Sequence, residues 1–186
     1  MSNAVSALTG RSYSGFSTVR EAGLVGMVTL RGDLASPELA VAVLAATGCA
    51  VPAQRRRVTA GAWSVCWMSP DELLLTGPYE AAPGLVDQLT AALAGQHALA
   101  VDVSDARASF SITGPRAAEV LMKLCPVDFA ALEADEVRRT RLAQIAAALW
   151  KSAPEEYSLV CFRSVASYAF GVLENAARPG SELFAG

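Results

Sequence analysis

A hydrophobic period of two gives way to a period of 3.6 along this chain, and the whole alternation occurs twice. Leu24 to Leu30 reads as a strand, ended by Gly32 and Asp33. Ser36-Pro37-Glu38 then opens a helix with a capping oxygen, a proline at the first turn and an acid against the helix dipole. Leu39, Ala42, Val43 and Ala46 follow at the spacing of one helical face, and Gly48 supplies the stop. Two β-prone runs, 62–68 and 72–76, flank the turn Ser69-Pro70-Asp71. A second helix is expected over about 83–93, with Leu85, Leu89 and Ala92 on one face and its end at Gly95.

The second half follows the same order. Ala108 to Thr113 reads as a strand, and Gly114-Pro115 opens a helix carrying Ala117, Val120, Leu121 and Leu124, which Pro126 ends. Strands are expected over 142–150 and 157–161, around the turn Ser152-Ala153-Pro154-Glu155. Ser164 is expected to cap a last helix with Val165, Tyr168, Ala169 and Val172 inward. Gly114 lies 82 residues after Gly32, and Pro154 lies 84 after Pro70. The pattern therefore predicts an α+β fold of two tandem strand–helix–strand–strand–helix repeats. The expected boundaries are a flexible N-terminal arm over 1–20, a first lobe over 21–100, a second over 101–178 and a flexible tail over 179–186. Ala98 to Val103 leads from one lobe into the next with no Pro/Ser-rich linker, so one compact unit is expected.

Composition mainly excludes. Net charge is −3, and no basic stripe carries interleaved aromatics, which argues against nucleic acid. The one dense basic run, Arg55-Arg56-Arg57, reads as a solvated loop, or as an anchor for an acidic partner surface or a phosphate. Charged residues make up only 18 %, below the usual share of about 25 %. Alanine accounts for much of the apolar excess, and the remainder hints at a surface covered by another protein. Cys49, Cys66, Cys125 and Cys161 are too widely spaced for a zinc-type pair, and no metal ligand set is expected. The first twenty residues lack the apolar core of a signal peptide, and no apolar run approaches a membrane span, so a cytoplasmic location is expected.

Few residues invite a catalytic reading. The single histidine, His97, follows Gly95-Gln96 at a helix end and reads as a surface residue rather than a general base. No glycine-rich phosphate loop follows a strand. Asp102 and Asp105 stand three apart at a strand-to-turn junction, where such acids commonly bond nearby amides; Arg107 is available to pair with either. Trp63, Trp67 and Trp150 sit in strands and read as core more readily than as interface.

Asp102-Val103-Ser104, followed by Gly114-Pro115-Arg116-Ala117-Ala118, Leu121 and Asp128, resembles the opening of the folate-binding fold of glycine-cleavage aminomethyltransferase. Leu30-Arg31-Gly32-Asp33 and the segment Trp67-Met68-Ser69-Pro70-Asp71-Glu72-Leu73-Leu74-Leu75 extend the likeness. In that order, over roughly 24–177, the segments resemble the gamma subunits of heterotetrameric sarcosine oxidase. In the aminomethyltransferases an acidic residue follows a Gly-Gly turn and precedes an apolar strand. The corresponding stretch here, Arg141 to Trp150, contains no acid.

The resemblance thus implies a relative of the folate fold that has lost its site and serves assembly. It implies alpha, beta and delta partner subunits. FAD, FMN, NAD and tetrahydrofolate are implied on the partners, and no cofactor on this chain. The rival expectation is a folate-binding one-carbon module acting alone, with a cavity lined by Asp102, Asp105 or Asp128. No catalytic, cofactor-binding or metal-binding residue is assigned.

Overall fold

The computed structural model describes residues 4–184. They form two compact units: a central one, Val25–Asp105, and a terminal one built from the residues up to Leu24 and those from Ala106 on. Both are α+β, each with one antiparallel sheet.

The central unit runs β3 (Gly26–Arg31), α1 (Pro37–Thr47), β4 (Arg57–Ala60), β5 (Trp63–Ser69), β6 (Glu72–Gly77), α2 (Ala82–Ala92) and β7 (Leu99–Asp102). Its strand order is β4-β5-β6-β3-β7. Alternation sends Val28 and Leu30 of β3, Val65 of β5, and Leu73 and Leu75 of β6 into one core with Leu39, Ala42 and Val43 of α1 and Leu85 and Leu89 of α2. The cap of α1 is the expected one: the Leu39 amide donates to Ser36 Oγ at 3.2 Å, and Gly48 closes the helix at φ 74°. On α2 the inward face is Ala82, Leu85 and Leu89, whereas Ala92 is exposed.

The terminal unit holds β1 (Ser12–Ser14), β2 (Thr18–Glu21), β8 (Arg107–Thr113), α3 (Ala117–Met122), β9 (Val137–Leu142), β10 (Ile145–Ala153), β11 (Glu156–Phe162) and α4 (Ala166–Ala176). The strand order is β1-β2-β8-β11-β10-β9. Its core joins Phe110 and Ile112 of β8, Val120 and Leu121 of α3, Leu149 and Leu159 of the β10–β11 hairpin, and Phe170 and Leu173 of α4.

Several expectations need correction. The segment 1–20 is no flexible arm where it is described: β2 pairs with β8 from Thr18↔Thr113 to Glu21↔Phe110, and Val19 is buried. The serine- and glycine-rich composition concealed a hairpin whose second strand completes the other end's sheet. For the same reason the lobe boundaries at 21, 101 and 178 move, since the first 24 residues belong with the C-terminal half. The expected tail is also tied down as far as it is described. Glu119 accepts the Leu183 amide at 3.0 Å, and Lys123 Nζ donates to Ser181 Oγ at 3.0 Å. Residues 1–3 and 185–186, the ends of both expected segments, lie outside the described residues.

Each unit carries a strand that the periodicity did not show, β4 and β9. The expected strand 142–150 is strand from Ile145 on, within β10, but its first residues are a hairpin corner, with β9 ending at Leu142 and Ala143 at φ 50°. No side-chain hydrogen bond caps α4, whose buried face is Ala166, Ala169, Phe170, Leu173 and Ala176; Tyr168 is exposed.

Candidate interaction surface

Of the acids singled out in the sequence, Asp102 and Asp128 are turn-builders. Asp102 Oδ1 accepts the Ser104 amide at 2.9 Å and its hydroxyl at 2.5 Å, while Ser104 Oγ accepts the buried Met27 amide at 2.9 Å. Asp105 accepts the Tyr79 hydroxyl at 3.0 Å, a bond that raises the phenol above its ordinary value. Asp128 accepts the amides of Ala130 and Ala131 at 3.0 and 3.2 Å. The Arg107 guanidinium lies over the Phe162 ring at 4.2 Å. In the basic run, Arg55 takes φ 60° in the turn before β4 and Arg57 begins that strand. Of the tryptophans, Trp150 is buried, Trp63 packs on the central core, and Trp67 is half-buried.

An open cleft of about 720 Å³ lies at the end of the central unit where β3, the β5–β6 turn and the loop into β7 meet. Gly32, Asp33, Asp71, His97 and Leu99 are among its lining residues. Arg31 is held between two carboxylates, Asp71 at 3.1 Å and Glu72 at 2.8 Å, so its charge is already engaged. His97 is exposed. Among the described residues no group of three or more His, Cys, Asp and Glu side chains is placed to hold a metal ion.

Beside this cleft runs β7, an edge strand. Ala98 and Ala100 face the core, whereas Leu99 and Val101, on the opposite face, are 59 % and 40 % exposed. Sequence reasoning treated 98–103 as a link. Its signal was apolar residues on both faces with the larger ones directed away from the helices.

All four cysteines are free and buried. Desolvation pushes the Cys125 thiol up to about 12 and the Cys161 thiol up to about 11. The folded chain is therefore expected to leave these thiols unmodified by an aromatic disulfide reagent at pH 8, and to expose them on unfolding in urea. The unfolded state releases these protons at lower pH than the folded one. Stability should thus be unaffected by the two thiols below pH 9 and fall between about 9 and 12, as alkaline unfolding curves would show.

Comparison with known proteins narrows the class first. The structure matches aminomethyltransferase T of the glycine cleavage system from Bartonella henselae with a TM-score of 0.64. At 13 % identity, over 93 % of this chain and 48 % of that one, the match establishes the fold alone. The model of the sarcosine oxidase, gamma subunit family matches residues 31–178. Sarcosine oxidase subunit gamma from Corynebacterium sp. (strain U-96) is 33 % identical over 147 residues, 77 % of this chain and 70 % of that protein. The Arthrobacter protein of the same name is 33 % identical over 150 residues, 78 % and 72 % of the two chains. A chain of heterotetrameric sarcosine oxidase from Corynebacterium sp. U-96, in complex with pyrrole 2-carboxylate, superposes with a TM-score of 0.80 at 28 % identity, covering 89 % of this chain and 87 % of that one. An α+β protein on the aminomethyltransferase plan is the class defined by these features. Within it, the chain belongs to the sarcosine oxidase gamma subunit family.

Proposed function

We propose that this chain serves a heterotetrameric sarcosine oxidase as a non-catalytic subunit, stabilising the assembly while the reaction proceeds on its companions. The observation that carries this reading is the superposition on a chain of the heterotetrameric Corynebacterium enzyme. In this reading the alpha, beta and delta subunits are its partners. FAD, FMN, NAD and tetrahydrofolate sit on those partners, where sarcosine is oxidatively demethylated to glycine. Hydrogen peroxide, with methylene-tetrahydrofolate or formaldehyde, is formed there too. The chain's own chemistry supports the division of labour. Asp102 and Asp105 are each engaged by hydroxyl groups of the same unit, and Arg141 to Trp150, where the folate-using relatives carry an acid, has none. A cytoplasmic site of action accords with this role, and no helix among the described residues is long and apolar enough to cross a membrane.

The two units read as two copies of one plan. The supporting observation is strand order: β4-β5-β6-β3-β7 in one and β9-β10-β11-β8-β2 within the other, with helices after β3 and β6 and after β8 and β11. The copies differ in where the strand beside β3 or β8 comes from. β7 follows its helix, whereas β2 arrives from the N-terminus.

Co-expression of the tagged chain with the other three subunits is expected to yield a yellow complex, while the isolated chain is colourless and leaves sarcosine unconsumed. Recovery of the chain alone, with micromolar tetrahydrofolate binding and no flavoprotein, would replace the assembly role with a one-carbon module.

A further inference from the structure

The sheet of the terminal unit continues beyond β2 to a sixth strand, β1, whereas the sheet of the central unit stops at β7. We propose that the open edge of β7 is the docking site for an extended, basic-ended segment of a companion subunit, which adds to the sheet as its sixth strand; this rests on the subunit role argued above.

The backbone at this edge is available. Val103 N–H donates to Met27 O at 2.8 Å, so Val103 points its N–H towards β3. In an antiparallel ladder this orientation alternates, which turns Val101 and Leu99 inward as well and leaves the N–H and C=O groups of Ala100 and Asp102 directed at the open edge. An extended peptide entering there gains main-chain hydrogen bonds, and its alternate side chains meet Leu99 and Val101, the two exposed apolar residues of the strand. β7, Leu-Ala-Val-Asp, is four residues long and holds neither lysine nor proline; the one charge within it, Asp102, is an acid that a basic partner can meet.

Charge selects the occupant. At the Leu99 end stands Asp33, which accepts only the Ala35 amide, and at the other end stands Asp102, which accepts only Ser104 groups. Neither carboxylate is ion-paired among the described residues. A strand with Lys or Arg opposite the two ends of β7, about 10 Å apart at roughly 3.3 Å per residue, meets both acids. A second copy of this chain does not fit. Antiparallel pairing of β7 with its own copy sets the Asp102 end of each against the Asp33 end of the other, and like charges so placed repel.

The test uses the co-expressed complex. Ala100→Pro removes one outward N–H and no bond to β3, a substitution edge strands tolerate. The expected result is at least about a tenfold drop in companion subunits recovered, with the thermal midpoint of the isolated variant within about 2 °C of wild type. Leu99→Lys combined with Val101→Lys should produce the same loss. If Ala100→Pro fails to fold, hydrogen exchange on the wild-type chain decides. The Ala100 and Asp102 amides are expected to exchange at least about tenfold more slowly in the complex than in the isolated chain. A folded Ala100→Pro chain that recovers its companions in full, or unchanged exchange at both amides, overturns the proposal and leaves the subunit role standing. So does a dimer of the isolated chain that the double lysine variant breaks while the complex forms normally. If wild-type chain recovers no companion at all, the subunit role itself fails and the docking proposal falls with it.

Discussion

Phe170→Ala is expected to destabilise the chain by about 3–5 kcal/mol, the range for truncating a fully buried aromatic side chain. Phe170 is 0 % exposed and lies on the inward face of α4, its ring 6.5 Å from that of Phe110 on β8. The ring is covered on its outer side from the N-terminus. The Arg11 guanidinium stacks 4.4 Å above it while pairing with Glu174 at 2.8 Å, one helical turn further along α4. Alanine here leaves a cavity between helix and sheet and deprives Arg11 of its platform. Phe170→Leu separates the two effects. Leucine retains most of the volume, so its cost should stay below about 1.5 kcal/mol, of which loss of the cation–π contact accounts for about 0.5–1 kcal/mol. Urea unfolding midpoints of wild type and both variants check the order. An alanine variant within about 1 kcal/mol of wild type would show that the terminal unit's core does not close on α4.

That residue also marks the limit of what the sequence made legible. The 3.6 period of α1 was unambiguous because its ends were written in specific side chains: Ser36, Pro37 and Gly48 each have a distinct physical reason to be where they are. α4 lacks such a cap, and its small and aromatic residues are spread around the helix rather than gathered on one face. The sequence places the cap at Ser164 and turns Tyr168 inward; with no side-chain cap formed, packing against Phe110, a long-range fact, turns Phe170 inward instead. The missed strands failed for related reasons. β9, Val-Arg-Arg-Thr-Arg-Leu, is a sheet-edge strand whose arginines hide its alternation: Leu142 joins the core on one face, while Val137 is buried on the other, paired with Trp150. β4 is likewise an edge, four residues long and half-buried. Central strands bury both faces and announce themselves by composition, whereas edges answer to solvent and do not. The same asymmetry hid the β7 surface, because an apolar linker and an apolar edge strand have the same composition. The family resemblance was legible because it rested on turn and cap residues in fixed order, such as Gly32-Asp33, Pro70-Asp71 and Gly114-Pro115, whose backbone roles do not depend on which apolar residues fill the core.

The N-terminal hairpin was the largest feature the sequence concealed, and one side chain organises it. Glu21 is 1 % exposed, yet it is satisfied: its carboxylate accepts the Gly10 amide at 2.6 Å, the Ser6 hydroxyl at 2.9 Å and the Leu8 amide at 3.4 Å. The chain bends to make this possible, with Thr9 and Gly10 both at positive φ, 51° and 76°, so that successive amides converge on one anion. A buried carboxylate is costly without such donors, and the donors are stranded without the carboxylate. Glu21→Ala should therefore cost about 2–3 kcal/mol, the worth of hydrogen bonds to a charged acceptor. The damage should be local, because the pairing of β2 with β8 runs through backbone that the substitution leaves intact. Limited trypsin digestion reads this out at Arg11, which follows the bent segment. Release of a 2–3 kcal/mol restraint raises the open population by about thirtyfold or more, and cleavage there should accelerate by the same factor. Glu21→Gln, which keeps one acceptor oxygen and sets an amide donor against the others, should fall between alanine and wild type. Equal cleavage rates for wild type and Glu21→Ala would mean that the segment is held by its neighbours alone, and that the carboxylate is a passenger in the fold.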